Sequence, residues 1–581
     1  MNQDSDHLYS EPFRWSRTLM FCAAAAVLLL LLGRNALISS EGDLAECVRE
    51  ILRGRDIFAD GMWIGKPDAP GVFFAARLTA YLAEVVGLSE WTLRLPSALA
   101  ALAALAGMVT LADTLFGRRT GTLAGWLLIG SYGFLFWGRH ASWHMMPAAA
   151  LIWTAALAVR PEKRFFGTAV LLTLILTGTL LWGWFFVLPL LAAVPLFRAG
   201  GFALSGWKIR VGAVLAAVAA TAAIALLLSD VFRRGFVGGW VGFAAAQRQV
   251  WRCSRQVMIW SSTDRRPWYE ALENLPRLLL PWVPLTVLAI FALWRERREL
   301  TPGLKALLRS AGLLILLCGI FPGRRWQYQL PMLPTFTILT AAGLTVVPDA
   351  GWNRRIGRLL LLAFALLGSL AATVAVTYPL WPLLLKITPP LTIIPGVPLF
   401  GLLALTLLVF DHPDGVAARS SGLTSPWTGG ILAGVVLGVS LWCVTIPSLT
   451  KFRRGRIFWR KCGQETRTLP MDHVIFAGSA PRHEELFYMD PPGEAAVKPD
   501  PQSFREHLMT RKTGSVVVIV RRRDRAAFNM AAQAAGREFR SKPKLREGMP
   551  LRLWGRPESA DKRYELYDLE TVNYGGVSHA Q

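Results

Sequence analysis

Two carboxylates, Glu41 and Asp43, stand just beyond an apolar run that ends at Gly33. A carboxylate at a bilayer face costs desolvation energy unless it is paired or put to use. Two uses fit this pair: a general base toward a sugar or lipid hydroxyl, or oxygen ligands to a divalent cation. The same residues also make a good helix start, with Ser39 or Ser40 capping and the acids favouring the first turn of an amphipathic helix over 41–53. Within the same 34–92 segment lies Lys66, in Gly65-Lys66-Pro67-Asp68. As a point charge it could neutralise a phosphate oxygen; alternatively it is a solvated turn lysine paired with Asp68.

A set of basic residues falls on the same side of the membrane. It comprises Arg139 and His140 with His144, Arg233-Arg234, Arg248, Arg252, Arg255, Arg265-Arg266, and Arg324-Arg325 with Tyr328. These run against the positive-inside trend and need another partner, for which a phosphate-bearing lipid is the natural choice; anchoring to headgroups accounts for part of the set. Pro267-Trp268-Tyr269, Leu280-Pro281-Trp282 and Tyr328-Gln329-Leu330-Pro331 read singly as interfacial belts. His140 and His144 have i, i+4 spacing without further metal ligands nearby. P-loop, GxSxG, HExxH, paired CxxC and GxGxxG-after-strand patterns are missing, which disfavours ATP-driven transport.

The elements that must position these residues are apolar. Of 581 residues, 53% are hydrophobic and 23 are Trp, with a mean hydropathy of +0.38. Runs of membrane-spanning length recur along the first three quarters. They fall near 19–33, 93–116, 121–138, 146–159, 165–181, 183–197, 211–229, 276–294, 309–322, 329–347, 359–378, 394–410 and 429–447. This predicts a mainly α, polytopic membrane bundle of about thirteen spans over 1–447, with 34–92 as its first outward loop. A mixed-charge start and no small-residue cleavage pattern after Leu32 make 19–33 a retained span. With the N-terminus in the cytoplasm, five consecutive alternate loops carry clustered Arg and Lys, as positive-inside topology requires. The net charge of +24 is thereby accounted for largely without a ligand, and no nucleic-acid module is visible.

After 447 the composition turns charged and less apolar. Ser515–Val520 and His473–Ala477 read as strands and Pro501–Thr510 as a helix, predicting a small outward α/β domain over 448–581. The six cysteines lack metal spacing; Cys22, Cys318 and Cys443 lie in apolar runs, while a Cys47–Cys253 or Cys253–Cys462 bridge stays open.

Several short motifs, in order, resemble the GT-C glycosyltransferases of the protein-mannosyltransferase and aminoarabinose-transferase group. Glu41-Gly42-Asp43-Leu44-Ala45-Glu46-Cys47, with Arg49-Glu50-Ile51-Leu52, is similar to the family's Asp-Glu and Tyr-Ala-Glu-Ile block. Lys66-Pro67 takes the place of its Lys-Pro-Pro, and Glu90-Trp91-Thr92-Leu93-Arg94-Leu95-Pro96 that of its Trp-Ala-x-Arg-Leu-Pro. Arg266-Pro267-Trp268-Tyr269 with Leu280-Pro281-Trp282, and Gly323–Pro334 containing Arg324, Arg325 and Tyr328, resemble two later segments. Four departures stand out: Ser40 where the family has its leading Asp, Asp68 for the second Pro, His144 for an Asp after the third span, and Trp182-Gly183 for a Lys-Gly pair.

The resemblance implies sugar transfer from a polyprenyl-phosphate donor to a hydroxyl acceptor (lipid A, a cell-surface glycan or a protein) with inversion, at the outer face of a cell inner membrane. Glu41 or Asp43 would take the acceptor proton. Lys66, Arg324, Arg325 and Arg266, with Tyr328, would face the donor phosphate, and Arg139 and His144 are further candidates. A metal is not required by the scheme, although the acidic pair leaves room for one. The alternatives are a lipid or glycan transporter, for which inverted repeats and intramembrane charges are not found, and an inactive relative acting in envelope assembly.

Overall fold

The computed structural model describes residues 10–30, 32–33, 37, 39–54, 69–159, 165–182, 184–199, 207–228, 248, 270–280, 282–295, 300–320, 326–346, 455–467, 474–478, 486, 488–489, 496–510, 516–521, 523–539, 545–546 and 564–571. The chain forms two compact units, one of Met1–Arg34 with Cys47–Ile446 and one of Asn35–Glu46 with Pro447–Gln581.

The first unit is helical: α1 Ser10–Leu29, α2 Ser39–Leu52 (whose first turns belong to the second unit), α3 Ala69–Val86, α4 Glu90–Phe116, α5 Arg118–Ile129, α6 Tyr132–Gly138, α7 Met145–Val159, α8 Phe165–Trp182, α9 Trp184–Ala192, α10 Val194–Ala199, α11 Trp207–Leu228, α12 Glu270–Leu279, α13 Val283–Arg295, α14 Pro302–Ile320, a 3₁₀ turn Trp326–Gln329, and α15 Met332–Val346. Ten of the apolar runs fall on these helices; 359–378, 394–410 and 429–447 lie outside the described residues.

By length and apolarity, one helix among the described residues could cross a bilayer, Glu90–Phe116, or two if the bent pair Glu273–Leu279 and Val283–Phe291 counts as a single span. Three runs expected as single spans are pairs of helices. The 121–138 run breaks at Gly130 and Ser131, where the buried Ser131 hydroxyl donates to Leu128 O at 2.7 Å. The 183–197 run breaks at Ala193, and the 276–294 run bends by 109°. The first and third breaks meet: Tyr132 N–H donates to Leu280 O at 2.8 Å. A Cβ on Gly133 would lie 2.7 Å from Leu278 Cδ2, so glycine permits that approach.

Helix α4 organises the bundle. Ser89, extended at φ −149°, accepts the Thr92 N–H at 3.1 Å, and Glu90 follows in the first turn. Twenty-seven residues later the helix stops at Gly117, whose φ of +88° favours glycine and whose N–H reaches Asp113 O at 2.9 Å. Its neighbour α7 comes close because Gly107 has no side chain; a Cβ there would meet Ile152 and Trp153 at 3.1 Å. Trp153 Nε1–H then reaches Ala103 O at 2.8 Å. Hydroxyl pairs tie other helices, Thr286 to Thr340 at 2.9 Å and Thr177 to Thr221 at 3.2 Å, as apolar bundles use them. Val214, Leu215 and Val218 on α11, and Val287, Phe291 and Trp294 on α13, face outward uncovered. Apolar faces of this extent suit lipid better than water.

The second unit holds α16 Gly455–Thr466 and a six-stranded sheet. Its strands are β1 Val474–Ala477, β2 Ala496–Lys498, β3 Val516–Arg521, β4 Arg537–Phe539, β5 Leu545–Arg546 and β6 Tyr564–Thr571, with α17 Pro501–Thr510 and α18 Arg525–Gln533 between them. The order is β2-β1-β3-β6-β4, with β5 on β6; β1 lies parallel to β2 and β3, and β6 runs antiparallel. Period-two alternation sorts β1 and β3. Ile475, Ala477, Val516, Val518 and Val520 pack with Phe504 of α17 and Phe528 of α18. Phe476 points the other way, 6.1 Å from the ring of Trp459 on α16. Val516 to Val520 are all buried, which is why this strand reads as an unbroken apolar run.

Helix α17 starts on Asp500-Pro501, with Ser503 N–H donating to Asp500 Oδ1 at 2.9 Å. The hydrogen bonds from the Ser503 backbone and hydroxyl hold the Asp500 carboxyl below its ordinary value of 3.8. A depressed carboxyl contributes stability that is complete above the unfolded-state value and disappears as pH falls through the lower folded one. Asp500→Ala is therefore expected to lower the melting temperature of the second unit at pH 7, with the gap to the parent closing only in strong acid. A gap that stays constant down to pH 2 would contradict the cap.

Candidate active site

Helix α2 begins at Ser39, two residues before the expected start, and carries both candidate carboxylates. Glu41 sits in its first turn, fully buried, and Asp43 is half-buried. At 3.6 residues per turn, an i, i+2 pair points about 200° apart. The two acids therefore face different sides of the helix rather than one site together. Glu41 gains from the positive end of the helix dipole, and neither it nor Asp43 is an isolated charge. Lys66, Arg266, Arg324 and Arg325 lie outside the described residues.

In the first unit the structure brings His144 and Tyr328 together. The His144 ring stacks on Trp143, centroids 4.3 Å apart, and lies 5.3 Å from Trp137 and 5.4 Å from Tyr328. His140 stacks on Phe136 at 5.2 Å. The two histidines are thus components of an aromatic cluster at the 138–145 turn. Among the described residues no group of three or more His, Cys, Asp and Glu is placed to hold a metal ion.

Arg139 is buried, and its Nη1 donates to Val27 O and, at 3.0 Å, to Leu30 O. Arg94, 3% exposed, donates Nη1 to Leu32 O at 2.9 Å. The last carbonyls of a helix lack intrahelical donors and carry the negative end of its dipole. Arg139 satisfies that need where α1 ends, which gives it a structural task separate from the phosphate contact expected of it, while Arg94 holds the chain three residues beyond the helix. Arg94 belongs to the Leu-Arg-Leu-Pro motif, whose role was not legible from residue type. Ser97, one turn on, donates its hydroxyl to Ser142 O and accepts the Ser142 N–H at 3.2 Å, tying α4 to the 138–145 turn. Nearer the middle of α1, Arg17 pairs with Asp113 at 2.8 Å.

Two further observations bear on the site. Trp182, where the resembling family has a lysine, is buried with its ring edge-to-face on Phe74 at 5.6 Å; this position is packed, not charged. The cavity lined by Leu111, Ile152, Leu196, Ser310, Leu314 and Thr335 has a volume of about 20 Å³. That is room for roughly one water, too little for a donor lipid. Cys47 and Cys462 are buried thiols, and Cys253 lies outside the described residues.

Helices in this order, together with the small sheet domain, make a fold already seen in solved structures. In particular, the chain is similar over nearly its whole length to ArnT from Cupriavidus metallidurans. The crystal structure of that protein bound to undecaprenyl phosphate matches with a TM-score of 0.60 at 16% identity, covering 95% of this chain and 97% of that one. Its apo state matches with a TM-score of 0.59, also at 16% identity and with the same coverage. No family model matches the sequence, and no curated protein does. The likeness at this identity is one of fold, in agreement with the resemblance carried by the short motifs.

Proposed function

We propose that the chain is an integral membrane glycosyltransferase that moves a hexosyl or pentosyl group from a polyprenyl-phosphate donor to the hydroxyl of a lipid, glycan or protein acceptor. The observation that carries this reading is the whole-length likeness to a structure that holds undecaprenyl phosphate. The uncovered apolar faces of α11 and α13 support a lipid setting. We place the catalytic face outside the inner membrane, with the N-terminus cytoplasmic and residues 448–581 outward.

In this scheme Asp43, the half-exposed member of the acidic pair, takes the acceptor's proton, since a base must reach the hydroxyl it deprotonates. The freed oxygen attacks the anomeric carbon from the face opposite the phosphate. The bond between that carbon and the phosphate oxygen breaks, and its electron pair leaves with the polyprenyl phosphate. Lys66, Arg324 and Arg325, with Arg266 and Tyr328, offset the charge that grows on the leaving group. Glu41, buried on the other face of α2, holds the helix start.

The test is to supply the chain, in membranes, with a polyprenyl-phosphate sugar and an acceptor. Free polyprenyl phosphate and a glycoside of inverted anomeric configuration are expected. Retained configuration, or turnover only with a nucleotide sugar, would overturn the proposal.

A further inference from the structure

The segment bearing both carboxylates belongs, as a compact body, with the C-terminal residues: Asn35–Glu46 clusters with Pro447–Gln581. One hydrogen bond joins these stretches across 451 positions of sequence. Leu37 N–H donates to the Tyr488 hydroxyl at 2.7 Å, with both residues buried. Leu37 stands two residues before α2 begins and six before Asp43. An N–H just ahead of a helix has no partner within it, and out of reach of water it needs one elsewhere. Tyr488 supplies that acceptor.

Tyr488 is itself firmly held. The Arg460 guanidinium of α16 lies 5.7 Å over its ring, within cation–π range. A Cβ on Gly463 of the same helix would collide with Met489 O, so α16 lies directly on the backbone next to Tyr488 and only glycine fits. Trp459 of α16 in turn packs against Phe476 of β1. A continuous line of contacts runs from the sheet through α16 and Tyr488 to the start of α2.

We infer that Tyr488 is a positioning residue: its hydroxyl fixes the entry of α2, and through it the direction in which Asp43 points, making the C-terminal domain part of the catalytic scaffold. The physical half of this inference, the anchoring of residues 37–46, stands on the hydrogen bond and burial; the catalytic half rests on the proposed function.

Tyr488→Phe in the full-length chain keeps the ring, and with it the Arg460 contact, while deleting the acceptor. Amide hydrogen exchange over residues 37–46 is expected to accelerate about tenfold, as loss of one buried hydrogen bond allows. Turnover is expected to fall by a similar factor with KM for the donor unchanged, because geometry of the base and not donor binding is altered. Arg460→Gln, which spares the hydroxyl, should change both quantities less. A melting curve confirms that the Tyr488→Phe protein is folded. Unchanged exchange over 37–46 overturns the anchoring. Faster exchange with undiminished kcat overturns the positioning role. A parent chain without any transfer activity refutes the proposed function instead, and the exchange measurement still decides whether Tyr488 anchors the segment.

Discussion

Asp43→Asn is expected to lower turnover by about 10²–10⁴-fold, the usual worth of a positioned general base, while donor binding stays near the parent level. Asparagine matches aspartate in size and keeps one carbonyl acceptor, so the loss isolates the basic lone pair. The expectation is specific to Asp43 because α2 separates the two acids by about 200° and leaves only Asp43 partly open. Glu41→Gln should act differently. Its side chain is fully buried at the start of the helix, so neutralising it removes a favourable dipole interaction, about 0.3–1 kcal/mol or somewhat more when buried. The signature is a lower melting temperature with turnover reduced far less than in Asp43→Asn. If Glu41→Gln abolishes turnover and Asp43→Asn does not, the base is Glu41.

The second large effect concerns the end of α1. Arg94→Met and Arg139→Met each keep a long apolar stem while removing a charged donor, from the buried Leu32 carbonyl in one case and from the buried Val27 and part-buried Leu30 carbonyls in the other. Hydrogen bonds to charged groups contribute roughly 1.5–3 kcal/mol, and a buried carbonyl left without a donor adds its own desolvation cost. Each variant should therefore lose about that much stability in detergent unfolding. Because the two side chains hold carbonyls within six residues of one another, at the end of α1 and just beyond it, the double variant should depart from additivity. Stability within 0.5 kcal/mol of the parent for both single variants, as for an ordinary surface substitution, would show that the arginines do not secure α1.

Much of the architecture was legible in the sequence because composition and period report on burial. The run Val516–Val520 announces a strand covered on both faces, and Asp500-Pro501 a helix start that α17 uses. Helix breaks inside apolar runs were not legible. Gly130–Ser131 is too short an interruption to divide the 121–138 run by composition, and the break is tied by a hydrogen bond from Tyr132 to Leu280, far away in sequence. Helix α3 was hidden inside the 34–92 loop, where Pro70-Gly71 suggests a turn. The acidic pair was visible as residue types, but its splitting across two helix faces required the helix to be placed. Arg139 looked like a phosphate ligand because charge alone cannot tell a lipid headgroup from the carbonyl end of a helix. Tyr488 carried no signal at all, since its partner is a backbone N–H 451 residues earlier.

The most direct measurement follows radiolabel from a polyprenyl-phosphate sugar in membranes containing either the intact chain or the Glu41→Gln/Asp43→Asn double variant. Label is expected on an acceptor with the intact chain and essentially none with the double variant. Equal labelling by both would contradict the assignment of chemistry to the start of α2, and label that crosses the membrane still attached to its lipid would make the chain a transporter.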